Sequence, residues 1–471
     1  MRSSFSVPLE FSHKSADPTI YGVAIKPLEY DLAVAEEGQS RFSSRLVAKP
    51  KVDTSKYTCR SVIDWIWMEF EVGSNTETGK EAQSYWISEK LKPILGGNPM
   101  VTGPNVPHTA TKWPNHQGTS FRIKVQDPSP KLMLEIRNLI DKNWTLVAPM
   151  KIIGIEIALD WRSKSQSDQE RWEMVAALMR HHLPNSKHLN GPRANLRNTY
   201  NHPLTDLSSE DDKRSRTEFV VQNPSHRYVP VTIDDGDNWA ASDNVAMGEK
   251  PIEVEEKISD RKKSDQDIKD PDVRRGIFGD FTIKAPFLDG TLYLGEEGAP
   301  VMFRIQNKLK DGRNSQTKRV VELGPEDRRA RIEVTLLAEA IAEFGFDTLE
   351  GLYGFKFARL RENLFDFWLP TFLGNPKAED SLQGVFREAR GLRQRQAFVN
   401  GGVYAHQIRE EALRVEEKLD RRRWRNAGLE VSNISRKGQG KSGTRKAWSE
   451  LNEQCRDALY NMSRRWKAEL L

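Results

Sequence analysis

Apolar and polar residues alternate in two neighbouring stretches of the chain. Phe303 and Ile305 alternate with Arg304 and Gln306, and Ile332, Val334 and Leu336 alternate with Arg331, Glu333 and Thr335. Period two sends successive side chains to opposite faces of a strand, so 301–308 and 331–337 are predicted strands with one face on a core. The other face carries Arg304, Gln306, Lys308, Arg331 and Glu333. That mixture of cations, an amide and a carboxylate suits a metal ion and a phosphodiester. A shorter strand with Tyr293 is predicted over 290–295, and another over 277–284.

Further strands are predicted at 62–72, dense in aromatic and β-branched residues, and at 119–125, which alternates. The nearly continuous apolar run at 152–161 predicts an interior strand. Helical spacing marks 81–95, which stops at Gly96-Gly97, and 130–143. It also marks 167–182, with Ser167 as N-cap, Asp168 and Glu170 in the first turn, and Arg180, His181 and His182 in the last. The same spacing predicts helices at 337–344, at 355–367 and at 447–470. The fold class expected is α+β: a central, mainly antiparallel sheet of about five strands with flanking helices, followed by a basic helical C-terminal region. Residues 1–55 read as an irregular arm, 56–204 and 273–375 as two halves of one body, and 205–272 as a polar insertion or linker. Residues 376–471 form the basic helical region.

Composition narrows the function classes. Charged residues make up 30% of the 471 residues and hydrophobic ones 37%. No apolar run reaches the roughly 20 residues a membrane helix needs, and the first 14 residues lack a secretory pattern. Only two cysteines, Cys59 and Cys455, occur, which excludes a disulfide scaffold and fits a cytoplasmic protein. The net charge of +5 is uneven: 376–471 holds 21 Lys+Arg against 13 Asp+Glu, a net +8, leaving −3 for the rest. The basic tail, with Arg421, Arg422, Arg423 and Arg425, suggests a polyanion such as DNA; a solvated helical surface is the plain alternative.

Glu156 and Asp160 lie four apart on one predicted strand, hence on one face, and Glu333 lies on another. If those strands pair, the carboxylates converge as hard oxygen ligands for Mg²⁺ or Mn²⁺. If they do not, they are solvated strand residues. A tyrosine hydroxyl suits nucleophilic attack on a phosphodiester, and Tyr293 sits on the predicted strand before Arg304; a strand tyrosine packing into a core is its ordinary alternative. The adjacent His181 and His182 end a helix and read as surface or capping residues. There is no phosphate-binding loop of the Walker type.

Three blocks resemble the replication initiation factor family of rolling-circle plasmids and phages. Ile63-Asp64-Trp65-Ile66-Trp67 resembles its opening strand, and Gly154-Ile155-Glu156-Ile157-Ala158-Leu159-Asp160 resembles its acidic strand. Thr291-Leu292-Tyr293-Leu294-Gly295, Phe303-Arg304-Ile305, Asn307-Lys308 and Arg331-Ile332-Glu333-Val334 resemble its last run. The resemblance implies an initiator that binds an origin and nicks one DNA strand through a tyrosine, with a divalent metal on sheet carboxylates. It implies Glu156, Asp160 and Glu333 as metal ligands, with Tyr293, Arg304 and Lys308 catalytic and Arg331 on DNA. Partners implied are origin DNA, a host helicase and a second copy of the chain, with no membrane. One departure stands out: Gln306 occupies the position where the family has its tyrosine nucleophile. The alternative is therefore a DNA-binding protein with a degenerate nicking site.

Overall fold

The computed structural model describes residues 4–9, 25–35, 42, 45–96, 99–106, 114–183, 196–201, 217–221, 228–232, 288, 291–294, 299–313, 320–374, 391–392, 394–399, 401–404, 406–407 and 445–469. The strands in chain order are β1 Ser4–Val7, β2 Leu28–Val34, β3 Arg45–Pro50, β4 Tyr57–Glu71, β5 Met100–Thr102, β6 Ser120–Gln126 and β7 Lys151–Ser163. They continue with β8 Leu196–Asn201, β9 Thr217–Val221, β10 Tyr228–Thr232, β11 Thr291–Leu294, β12 Val301–Lys308, β13 Lys310–Arg313, β14 Val320–Glu322, β15 Arg329–Leu337, β16 Trp368–Leu373 and β17 Arg445–Ala447. The helices are α1 Ser84–Leu95, α2 Pro130–Trp144, α3 Asp168–His181, α4 Ala338–Phe344, α5 Leu349–Gly354, α6 Arg361–Leu364 and α7 Ser449–Ala468, with a 3-10 turn at Phe357–Leu360.

The α+β expectation holds. Ten strands form one sheet in the order β10-β9-β8-β11-β12-β15-β7-β4-β6-β5, and every neighbouring pair is antiparallel. The sheet is wider than the five strands expected. β7 is interior, as its continuous apolar run predicts, because β15 and β4 cover both its edges. A second antiparallel sheet has the order β1-β2-β3-β16-β17.

That second sheet corrects two expectations. The N-terminal residues read as an irregular arm contribute β1, β2 and β3 to it, with Tyr30 and Val7 fully buried. The helix expected over 355–367 is instead a 3-10 turn, the four-residue α6 and a bridge from Phe367 to His182 just before β16. Pro370 lies inside β16 and pairs opposite Arg445. Short apolar runs leave helix and strand ambiguous, and tertiary pairing decided this one. The expected strand at 277–284 and most of 205–272 lie outside the described residues.

α3 and α7 cover one face of the large sheet. Ser167 caps α3 by accepting from the Glu170 amide, and Arg171 Nε donates to Asn307 Oδ1 of β12 at 2.9 Å. α7 is seated on β4 and β7: Ser61 Oγ donates to the Ala458 carbonyl at 2.7 Å, and Trp161 Nε1 to Gln454 Oε1 at 3.1 Å. Asn307, Ser61 and Trp161 all belong to the face that also carries Phe303, Ile305, Ile157 and Leu159. The residues between them on each strand therefore point to the other face.

Candidate metal centre

Register gathers the charged residues on that other face. Across β15 and β7, Arg331 lies opposite Asp160, Glu333 opposite Ala158 and Thr335 opposite Glu156. Across β12 and β15, Arg304 lies opposite Glu333, Gln306 opposite Arg331 and Lys308 opposite Arg329. Directly paired residues share a face, so two alternating patterns become one surface.

β4 adds a residue from an irregularity. Ile63 pairs with Ile157 and Trp65 with Glu156, so Asp64 has no partner opposite. A bulge of this kind re-aims a side chain. Here one oxygen from each of Asp64, Glu156 and Glu333 lies within 4.8 Å of the others. Asp64 was not among the expected ligands. Its signals in the sequence are a lone carboxylate inside the apolar run at 62–68 and its place in the block that resembles the family's opening strand, while the bulge that turns it inward depends on pairing with β7.

Asp160 is placed differently from Glu156 and Glu333. Arg331 grips it with two parallel bonds, Nε to Oδ1 at 2.5 Å and Nη2 to Oδ2 at 2.8 Å, and Arg329 Nε approaches Oδ2 at 3.2 Å. Such a fork-on-fork pair is strong and directional. Arg331 Nη1 reaches on to Asp64 Oδ2 at 2.6 Å and Glu333 Oε1 at 3.2 Å. Arg331, expected on DNA, is thus enclosed by three carboxylates and only 3% exposed. It holds the acidic groups in place.

Arg304 occupies the centre. Its Nε donates to Glu333 Oε2, and its Nη2 lies 3.4 Å from Glu156 Oε1. Gln306 Nε2 donates to Glu333 Oε1 at 3.0 Å, and Thr335 Oγ1 to Glu156 Oε2 at 2.9 Å. Tyr293 lies opposite Arg304 in the strand pair. Beside the cluster, Lys124 Nζ sits 4.2 Å from the Trp65 ring centre and Arg122 5.1 Å from that of Trp67.

The electrostatics follow from burial. Loss of water pushes the Asp64 carboxyl up to about 7, with the charges of Glu333, Glu156 and Asp160 adding to the rise and Arg331 opposing it. Burial, then Glu333, likewise raises Glu156, against Arg304, Thr335 and Lys124. Burial pushes Glu333 up too, but Arg304, Arg331 and Lys308 outweigh it and hold the group below the usual range. Glu333 is therefore held toward its charged form, while burial works against ionisation of Asp64 and Glu156, a cost that a divalent cation between them would offset. The donor set fits Mg²⁺ or Mn²⁺: three hard carboxylates close together, with the Arg304 guanidinium between two of them where positive charge is required.

The two histidines, expected as surface or capping residues, lie in the core. His182 does cap α3, but both rings are buried. His181 Nδ1 donates to the Trp368 carbonyl at 2.7 Å and its Nε2 meets Tyr30 Oη at 3.0 Å. His182 Nε2 donates to the Leu364 carbonyl at 2.9 Å. Burial lowers them to about 3 and about 4, so both are neutral packing residues. Arg421, Arg422, Arg423 and Arg425 lie outside the described residues.

The site is thus a cluster of carboxylates and guanidiniums on one face of an antiparallel sheet. No protein-family model matches the chain, and no curated protein matches it. Among solved structures, a rolling circle replication initiator protein from Geobacillus stearothermophilus is similar over 73% of this chain and 97% of that one, at 13% identity and a TM-score of 0.23. A likeness that loose says nothing about chemistry. Among the described residues no helix is long and apolar enough to cross a membrane.

Proposed function

We propose that the chain is a replication initiator that nicks one strand of origin DNA with the help of Mg²⁺ or Mn²⁺. One observation carries the reading: Asp64, Glu156 and Glu333 meet within 4.8 Å, and each comes from a different block of the sequence resembling the replication initiation factor family. Residues spaced far apart in the chain but close in a metal-binding geometry are a functional arrangement before they are a stabilising one, because clustered buried carboxylates cost free energy.

In this reading Asp64, Glu156 and Glu333 hold the metal, and Arg331 and Asp160 keep their carboxylates in position. The metal, when bound, supplies positive charge to the phosphoryl oxygens. Arg304 and Lys308 stand beside the same carboxylates and orient the phosphate. Tyr293 is assigned as the nucleophile. Its hydroxyl oxygen bonds to phosphorus at the 5′ end, the bond to the 3′ oxygen breaks, and that oxygen leaves as a hydroxyl carrying the proton tyrosine gives up. The released 3′ hydroxyl can then prime synthesis.

The test uses the purified chain, Mn²⁺ and a supercoiled plasmid carrying the DNA that surrounds its own coding sequence. Open circles and a covalent adduct on a denaturing gel are expected. Glu333→Gln should slow nicking by on the order of 100-fold, the scale of losing one charge-stabilising group, and Tyr293→Phe should abolish the adduct while DNA binding persists. A plasmid that stays closed, without adduct, ends the enzymatic reading.

One observation favours a second reading. Gln306 stands at the family's nucleophile position and bonds Glu333, and Arg304 bridges two of the carboxylates. That internal neutralisation suits a non-catalytic DNA-binding protein, and binding without nicking by both wild type and Tyr293→Phe would support it.

A further inference from the structure

A second charged feature lies on the opposite, helix-covered side of the sheet. The exposed face of α7 carries Tyr460, Ser463, Arg464 and Lys467, spaced i, i+3, i+4 and i+7, so they form one stripe. The other face of α7, with Leu451, Cys455, Leu459, Met462 and Trp466, is buried. The 3-10 turn Phe357–Leu360 runs beside the stripe. It is tied there by the Phe357 amide, which donates to Ser463 Oγ at 3.0 Å, and by the Phe357 and Trp466 rings, 6.1 Å apart. Lys356 and Arg359 face the stripe across a cleft of about 570 Å³.

Four cations and one carboxylate, Glu362, line this cleft. Glu362 lies 3.4 Å from Arg361 and offsets at most one of the four positive charges. Among the described residues no acid forms an ion pair with Lys356, Arg359, Arg464 or Lys467. Four cations against one carboxylate leave the cleft with a net positive charge, which an anionic occupant would offset. Tyr460, 57% exposed, adds a flat ring to the same stripe. Cations tracking a backbone beside an exposed aromatic ring are how proteins grip nucleic acid without reading its sequence.

We propose that the cleft between the 3-10 turn and α7 is a second nucleic-acid site that holds the phosphodiester backbone. Lys356, Arg359, Arg464 and Lys467 contact phosphates and Tyr460 stacks on a sugar or base. The site faces away from the carboxylate cluster and needs no metal. It would hold DNA on the far side of the sheet from the reacting strand.

The experiment measures fluorescence anisotropy of labelled random-sequence oligonucleotides, single-stranded in one arm and duplex in the other, with the full chain in EDTA. Omitting metal separates this site from the nicking site, so failure of one leaves the other standing. Arg359→Gln/Arg464→Gln/Lys467→Gln should weaken binding on the order of 100-fold at about 0.1 M salt and reduce the log–log salt slope by about 2 to 3, from counterion release. A charge-matched variant on other surfaces, Lys80→Gln/Lys90→Gln/Lys142→Gln, should bind as wild type does. A second measurement needs no variant: DNA should protect Lys356 and Lys467 of the wild-type chain from acetylation. Wild-type affinity and slope in the triple variant would overturn the proposal. So would equal loss in the charge-matched variant, acetylation unaffected by DNA, or protection by polyglutamate but by neither oligonucleotide.

Discussion

The two faces of β7 are a comparison within one strand. Ile155, Ile157, Leu159 and Trp161 leave it on one side, and Glu156 and Asp160 on the other, and all six are buried. The first set meets α3 and α7 and is held by apolar contact. The second meets Arg331, Arg304 and Thr335 and is held by charge and hydrogen bonds. Burial alone therefore does not distinguish a core from a site. What differs is what a change of one residue leaves behind: a void on the first face and an unpaired charge on the second.

The sharpest break should come on the charged face. Arg331→Ala removes the common partner of Asp160, Asp64 and Glu333, leaving buried Asp160 with Arg329 alone and Glu333 with Arg304 and Gln306. It should cost about 3–5 kcal/mol in urea unfolding. A loss within experimental error would mean that the carboxylates were solvated, and the two faces would differ less than described. On the apolar face, Ile157→Ala should cost about 2–5 kcal/mol through lost burial and the cavity left behind. It should leave Mn²⁺ affinity unchanged, whereas Arg331→Ala should not.

The smallest effect is a pH dependence confined to the charged face. Asp64 has its carboxyl raised from 3.8 to about 7, so the folded chain binds that proton more tightly than the unfolded chain does. The stability it contributes is fully present below about pH 4 and is lost as pH rises through about 7. After allowance for its partly exposed side chain, the loss should be about 1–2 kcal/mol. Asp64→Asn should flatten that stretch of the stability profile. Because metal and proton compete for the same oxygens, Mn²⁺ affinity in calorimetry should rise across the same window. A profile that is flat in wild type would place Asp64 in water and outside the cluster.

Much of this was legible in the chain. Alternation at 301–308 and 331–337 predicted β12 and β15, and the spacing of Glu156 and Asp160 put both on one face. Helix starts were readable where a local bond marks them, as at Ser167. The histidines were not, because adjacent polar residues at a helix end look solvent-facing until a second sheet packs over them. Nor was the sheet built from β1, β2, β3 and β16, because β3 and β16 are more than 300 residues apart and pair only in the folded chain. The role of Asp64 was hidden for a related reason: a bulge exists only relative to a partner strand.

The sequence by itself determined which residues share a face within each strand, because side-chain alternation is a property of two successive peptide units. Only the tertiary structure decided which faces meet and in what register. Positions 64, 156, 304 and 333 come together through antiparallel pairings that close long loops, and the stability of those pairings comes from the helices packed behind the sheet.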